Sequence, residues 1–142
     1  MRPVSHPALE DVTVEGILHA LSDPVRAAIF SDVAGADRAR TCSMFLKVRE
    51  KAIPKSTLSL HFKALREAGL IRGERIGVEM RNTSRCAEIE TRFPGLIKAI
   101  IEAHAIQQQQ NVRRTRLNRA GKRKSRRTAS SGLGRARVPL VP

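Results

Sequence analysis

A chain of 142 residues, 41% hydrophobic with no Trp or Tyr and 4 Phe, can build one small and mostly aliphatic core. It holds no apolar run near the roughly 20 residues of a membrane helix, and MRPVSHPALEDV lacks the apolar stretch of a secretory signal. Cys42 and Cys86 supply neither a disulfide framework nor a metal pair, so the expectation is a cytoplasmic protein, and the net charge of +14 points to a polyanion partner.

Residues 1–8, with Pro3 and Pro7, read as an irregular arm. A first helix is predicted from Leu9 to Leu21, burying Val14, Ile17, Leu18 and Leu21. Asp23-Pro24 is a strong helix start, aspartate as N-cap and proline in the first turn, and opens a second helix to about Ala34 that buries Val25, Ala28, Ile29 and Val33. Gly35-Ala36-Asp37 ends it, and an arginine-rich loop leads to Thr41.

Thr41–Gly69 reads as two helices joined by a break at Ala52-Ile53-Pro54. On the second, Leu58, Phe62 and Leu65 make one apolar stripe; His61 and Ala68 flank it, and Ser56, Leu60, Lys63 and Glu67 point away. Short hydroxyl side chains, lysine and a helix N-terminus on the outward side can hold phosphates and approach base edges, although an ordinary solvated helix face looks the same. Gly69 closes this helix as the residue after its C-cap. Residues 70–84, LIRGERIGVEMRNTS, read as a β-hairpin around Gly73 and Gly77 that carries Arg72, Arg75 and Arg81. A basic hairpin directly after such a helix is the pattern of a winged helix-turn-helix, with the wing reaching the minor groove or backbone.

From Ala87 to about Gln108 the apolar residues Ile89, Phe93, Leu96, Ile97, Ile100 and Ile101 predict a further helical region, broken at Pro94-Gly95. This is more aliphatic surface than a small domain needs. Either it folds back on its own domain, or, together with the first helix, it forms a homodimer interface through Ile17, Leu21, Leu96, Ile97, Ile100 and Ile101. The domain is therefore set at residues 9–110. Residues 111–142 are expected to be a basic disordered tail: 11 of the 27 Lys and Arg lie from Arg113 onward with no acid, whereas residues 1–112 hold 16 basic against 13 acidic groups.

Ala20-Leu21-Ser22-Asp23-Pro24-Val25-Arg26 resembles the opening signature of the ArsR family of bacterial winged-helix repressors. Lys55 to Ile71, KSTLSLHFKALREAGLI, resembles the same family's recognition helix and the start of its wing. The resemblance spans about residues 9–105. It implies a mainly α, dimeric winged helix-turn-helix fold of four helices, a β-hairpin and a fifth helix, with dimer contacts from the first and last helices and operator binding that blocks transcription. Carried over by position, Ser56, Thr57, Ser59 and His61 match the family's DNA-contacting residues. Lys55 stands where glutamine is common, and Leu60 where a second histidine is usual. Lys63, Arg72, Arg75 and Arg81 complete the expected DNA-binding set. The family's metal sites do not carry over: Thr41-Cys42-Ser43 offers one thiol, and Glu102-x-His104 lacks a histidine at position 115, which is threonine. No metal or cofactor is expected, and any inducer is open.

Cys42, read at the start of the third helix, has two readings: a small buried hydrophobe, or a redox-active thiolate whose pKa the helix N-terminus lowers. Two function classes follow. The leading one is a dimeric, sequence-specific repressor of double-stranded DNA; the other is a basic RNA- or ribosome-associated protein acting through its tail. No paired carboxylates, Ser–His–Asp set or glycine-rich phosphate loop supports an enzyme.

Overall fold

The computed structural model describes residues 4–45, 47–48 and 51–131. The first helix is shorter than its apolar pattern. Leu9–Asp11 form one 3₁₀ turn, and α1 (Val14–Leu21) starts only after Thr13, whose side chain accepts a hydrogen bond from the Gly16 N–H at 3.0 Å. Starting there puts Ile17 and Ala20 inside and leaves Leu18 50% exposed. Asp23 caps α2 (Pro24–Ala34) as its sequence predicts, accepting from the N–H groups of Val25 (2.7 Å) and Arg26 (3.1 Å). Burial alone would raise the Asp23 carboxyl pKa, but those two N–H bonds and the Arg26 charge bring it below the usual value. Helix α2 buries Ala27, Ile29, Phe30 and Val33 on one side, while Val25 and Ala28 are only partly covered.

The helix expected to open the Thr41–Gly69 stretch is not formed. Arg40–Thr41 are a short strand, β1, and Cys42–Phe45 a 3₁₀ turn; β2 (Lys47–Val48) then pairs antiparallel with β3 (Lys51–Ala52). Local composition favours helix here, and two tertiary interactions override it. Strand β1 adds to the edge of the hairpin, with Arg40 opposite Asn82 and Thr41 opposite Arg81. The 3₁₀ turn delivers Phe45 into the core, where its ring meets Phe62 edge-on at 5.4 Å between centroids.

Helix α3 (Lys55–Glu67) follows Pro54, which serves as its N-cap residue. Its C-terminus is a Schellman closure: the Gly69 N–H bonds the Arg66 carbonyl and the Leu70 N–H the Leu65 carbonyl, both at 3.0 Å. Gly69 sits at φ +79°, and a Cβ there would overlap Val12 Cγ2, so both backbone and packing require glycine. Strands β4 (Ile71–Ile76) and β5 (Glu79–Ser84) form the predicted hairpin, turning at Gly77-Val78 with Gly77 at φ +63°. With β1 they make a three-stranded antiparallel sheet ordered β1-β5-β4. Helix α4 (Cys86–Arg92) is the short lead-in, and Gly95 at φ +78° turns the chain into α5 (Leu96–Ser131).

One core joins Ile17, Ile29, Phe30, Phe45, Leu58, Phe62, Leu65, Leu70, Ile71, Ile89 and Ile97. The N-terminal segment is fastened by arginines: buried Arg85 donates to the Pro7 carbonyl at 2.9 Å, and Arg92 to the carbonyls of Leu9 and Val12.

The chain divides into two compact units, Met1–Glu102 and Ala103–Pro142. The second differs from its expected disorder, since residues to Ser131 are helical with exposed side chains over 111–130. Arg, Lys, Gln, Ala and Leu are good helix formers, and residues 103–131 hold no proline to break the helix. The rest of the expected tail, 132–142, lies outside the described residues.

Candidate nucleic-acid interface

Helix α3 separates its two sides as the spacing predicts. Leu58, Phe62 and Leu65 are 0–1% exposed and anchor it in the core, while Lys55, Ser56, Thr57, Ser59, Leu60 and Lys63 are all exposed. His61 lies between, half-buried. Leu60, 64% exposed, points outward. No side chain caps the N-terminus of α3, so its first-turn N–H groups open outward beside two hydroxyls and Lys55. Lys63 forms an i,i+4 pair with Glu67 at 3.7 Å, on the exposed surface.

Asn82, which carries no local sequence signal, adds a polar link between this helix and the hairpin. It is fully buried on β5. Its amide nitrogen donates to the carbonyls of Arg40 (3.1 Å) and Met80 (3.3 Å), and its oxygen accepts from Arg66 of α3 at 3.5 Å. One side chain thus ties β1, β5 and α3 together. Half-buried Arg66 has its pKa lowered chiefly by desolvation. Neither residue has a local sequence signal; only the strand pairing shows that Asn82 faces inward.

The hairpin is less freely basic than its composition. Arg72 pairs with Glu88 at 3.1 Å and Arg81 with Glu79 at 3.8 Å. Arg75 is exposed opposite Met80. At the turn Val78 is almost wholly exposed, with Ile76 beside it partly so.

The N-terminal arm packs at the base of this hairpin. His6 Nε2 accepts the Gly73 N–H at 2.8 Å, which requires a neutral ring; desolvation, then the charges of Arg72, Arg85 and Arg66, lower its pKa below 6.5.

The predicted dimer residues do not behave alike. Ile17 and Ile97 are 0% and 3% exposed inside their own unit and have no surface left for a partner, because the late start of α1 and the packing of α5 turn both inward. Leu21, Leu96, Ile100 and Ile101 pack against the core while keeping part of their surface, and Leu18 is free on α1. Ile101 also lines an open, mostly apolar cleft of about 510 Å³ with Ala34, Cys86 and Lys98.

Cys42 is not at an α-helix N-terminus. It is half-buried near Asn82, and burial raises its pKa above the usual thiol value despite the nearby Arg66 charge. This is the opposite of the activation a redox role needs. Among the described residues, no three His, Cys, Asp or Glu side chains come together as a metal site.

Residues 21–74 match a family model described as a helix-turn-helix domain. This stretch is a helix-turn-helix domain. The match spans α2 to the first half of β4, under half of the chain. With the β4–β5 hairpin directly behind α3, the fold is that of a winged helix-turn-helix. An "ArsR-like Transcriptional Regulator from Rhodococcus sp. RHA1" is similar in structure over 87% of this chain and 93% of that one, with 20% identity and a TM-score of 0.45. A comparison with the curated proteins finds no match. No described helix of this helix-turn-helix protein is long and apolar enough to cross a membrane.

Proposed function

We propose that this chain is a sequence-specific, homodimeric DNA-binding repressor of the ArsR type, acting in the cytoplasm. The observation that carries the reading is the two-sided build of α3. Leu58, Phe62 and Leu65 hold it rigidly in the core, and Ser56, Thr57, Ser59, Leu60 and Lys63 stand exposed beside an uncapped helix N-terminus. In this reading α3 enters the major groove. The Ser56 and Thr57 hydroxyls and the first-turn N–H groups take phosphates or base edges, Leu60 meets a thymine methyl, and Lys55 and Lys63 reach phosphates. His61 supports the face from its edge. The hairpin follows the backbone or minor groove and brings Arg72, Arg75 and Arg81 to it.

The dimer would use Leu18, Leu21, Leu96, Ile100 and Ile101, surfaces on the first and fifth helices that remain after Ile17 and Ile97 are assigned to the core. Two-fold symmetry would then present two copies of α3 to half-sites one DNA turn apart.

The test is an electrophoretic or anisotropy titration against DNA from upstream of the chain's own gene, with random duplex as competitor. The reading requires a selective complex that Ser56→Ala/Thr57→Ala weakens at least about tenfold, a loss of roughly 1.4 kcal/mol.

A further inference from the structure

The second unit carries charge that the helix-turn-helix domain does not use. Between Arg113 and Arg127 stand nine cations and no acid, all exposed on continuous helix. Nine cations placed at random would surround the helix. At about 100° per residue, Arg113, Arg116, Arg119, Lys122, Arg123, Lys124, Arg126 and Arg127 instead fall within an arc of about 200°, leaving only Arg114 outside. The opposite face holds Leu117, Asn118, Gly121, Ser125, Thr128 and Ala129.

We propose that this segregated face is a second DNA-binding surface, a helical rail that takes the phosphate backbone of duplex DNA without reading its sequence. The charge densities correspond. From Arg113 to Arg127 the helix rises about 21 Å, so the eight cations come about one per 2.6 Å. Duplex DNA carries about one negative charge per 1.7 Å of axis. Repulsion among neighbouring cations at i,i+3 and i,i+4, such as Arg116–Arg119, Arg119–Arg123 and Arg123–Arg127, opposes this helix in water, and a polyanion along the basic face removes that repulsion. An anionic membrane does not fit the other side: Asn118, Gly121, Ser125 and Thr128 are too small and polar to insert, and Leu117 is the one large apolar residue among them. Duplex DNA is preferred to RNA because the same chain holds a helix-turn-helix domain. To that extent the inference rests on the reading of the first unit, and the controls below separate the two.

The test uses the full chain and a random-sequence 30-base-pair duplex, with affinity measured by anisotropy across a salt series. One variant, R116Q/R119Q/R123Q/R126Q, removes four cations from the face. A second, N118R/R119N/S125R/R126S, keeps the net charge and moves two cations to the opposite side. At about 0.9 in the log–log salt slope per phosphate neutralised, the first should flatten the slope by about 2 to 4 and the second by about 1 to 2, each with a matching loss of affinity at low salt. A charge-conserving variant indistinguishable from the wild type would overturn the proposal, since charge count and not a helical face would then set binding. So would losses seen only with the same duplex made as RNA. Ser56→Ala/Thr57→Ala reports on the first unit: it should lower selectivity for the chain's own upstream DNA, and in its background the two rail variants should still flatten the slope on random DNA by the same amounts. If that variant failed to alter selectivity for the chain's own upstream DNA, the α3 reading would fall and the rail would stand.

Discussion

Asn82 joins β1, β5 and α3 through one buried side chain. Removing it takes one donor from the Arg40 carbonyl and the acceptor from the Arg66 guanidinium. Asn82→Ala should cost about 1–3 kcal/mol, measured by urea denaturation. It should also loosen α3 against the hairpin, so DNA affinity should fall more than stability alone accounts for. Gly69→Ala forces a side chain into positive φ and onto Val12; strain at such a position costs about 1–3 kcal/mol before the overlap is added. Adding Val12→Ala relieves the overlap and not the φ strain, so the double variant should recover only part of the loss. His6 gives the domain a pH dependence. Its folded-state pKa is depressed, so its bond to Gly73 contributes fully above the unfolded value of 6.5 and is lost as pH falls through the lower folded value. Wild-type protein should therefore lose more stability between pH 7 and pH 5 than His6→Gln, whose side chain accepts a hydrogen bond at either pH; equal losses would exclude His6 as the cause.

At the scale of elements, the outward face of α3 and the wing make separable predictions. Arg75→Ala should weaken binding to every duplex alike and reduce the salt slope by about 1. Leu18→Asp should give a monomer in sedimentation with near-normal stability, because Leu18 is half exposed. Ile97→Asp should unfold the domain, because Ile97 is in its core. The elements that could be read from the sequence are those with local determinants. Asp23-Pro24 caps α2, the Leu58–Phe62–Leu65 spacing orients α3, and Gly77 turns the hairpin; each works within a few residues. What escaped is set by distant partners. The stretch after Thr41 has the composition of a helix and becomes strand and 3₁₀ turn because β5 offers an edge and Phe62 a ring to pack on. Phe30 escapes the sequence because the buried side of α2, with Ala27, Phe30 and Val33, is rotated from the Val25–Ala28–Ile29 stripe that local spacing suggests. Through 113–131 high charge density favours disorder, but helix propensity prevails.

The whole molecule distributes its charge as two different instruments. Residues 1–102 are nearly balanced, with 16 basic and 13 acidic groups, and many of those acids tie down arginines, as Glu88 does with Arg72 and Arg85. Residues 103–142 hold 11 basic groups and no acid. Selectivity is accordingly expected from the first unit and salt-sensitive affinity from the second. The most direct measurement is the titration of full-length protein against DNA upstream of its own gene and against random duplex, at about 150 mM salt, for wild type and Ser56→Ala/Thr57→Ala. The account predicts a preference for the upstream DNA that the double substitution removes, with a much smaller loss of affinity for random duplex. Equal binding to both DNAs by the wild-type protein, unaffected by the substitution, would contradict α3 as the reader of sequence.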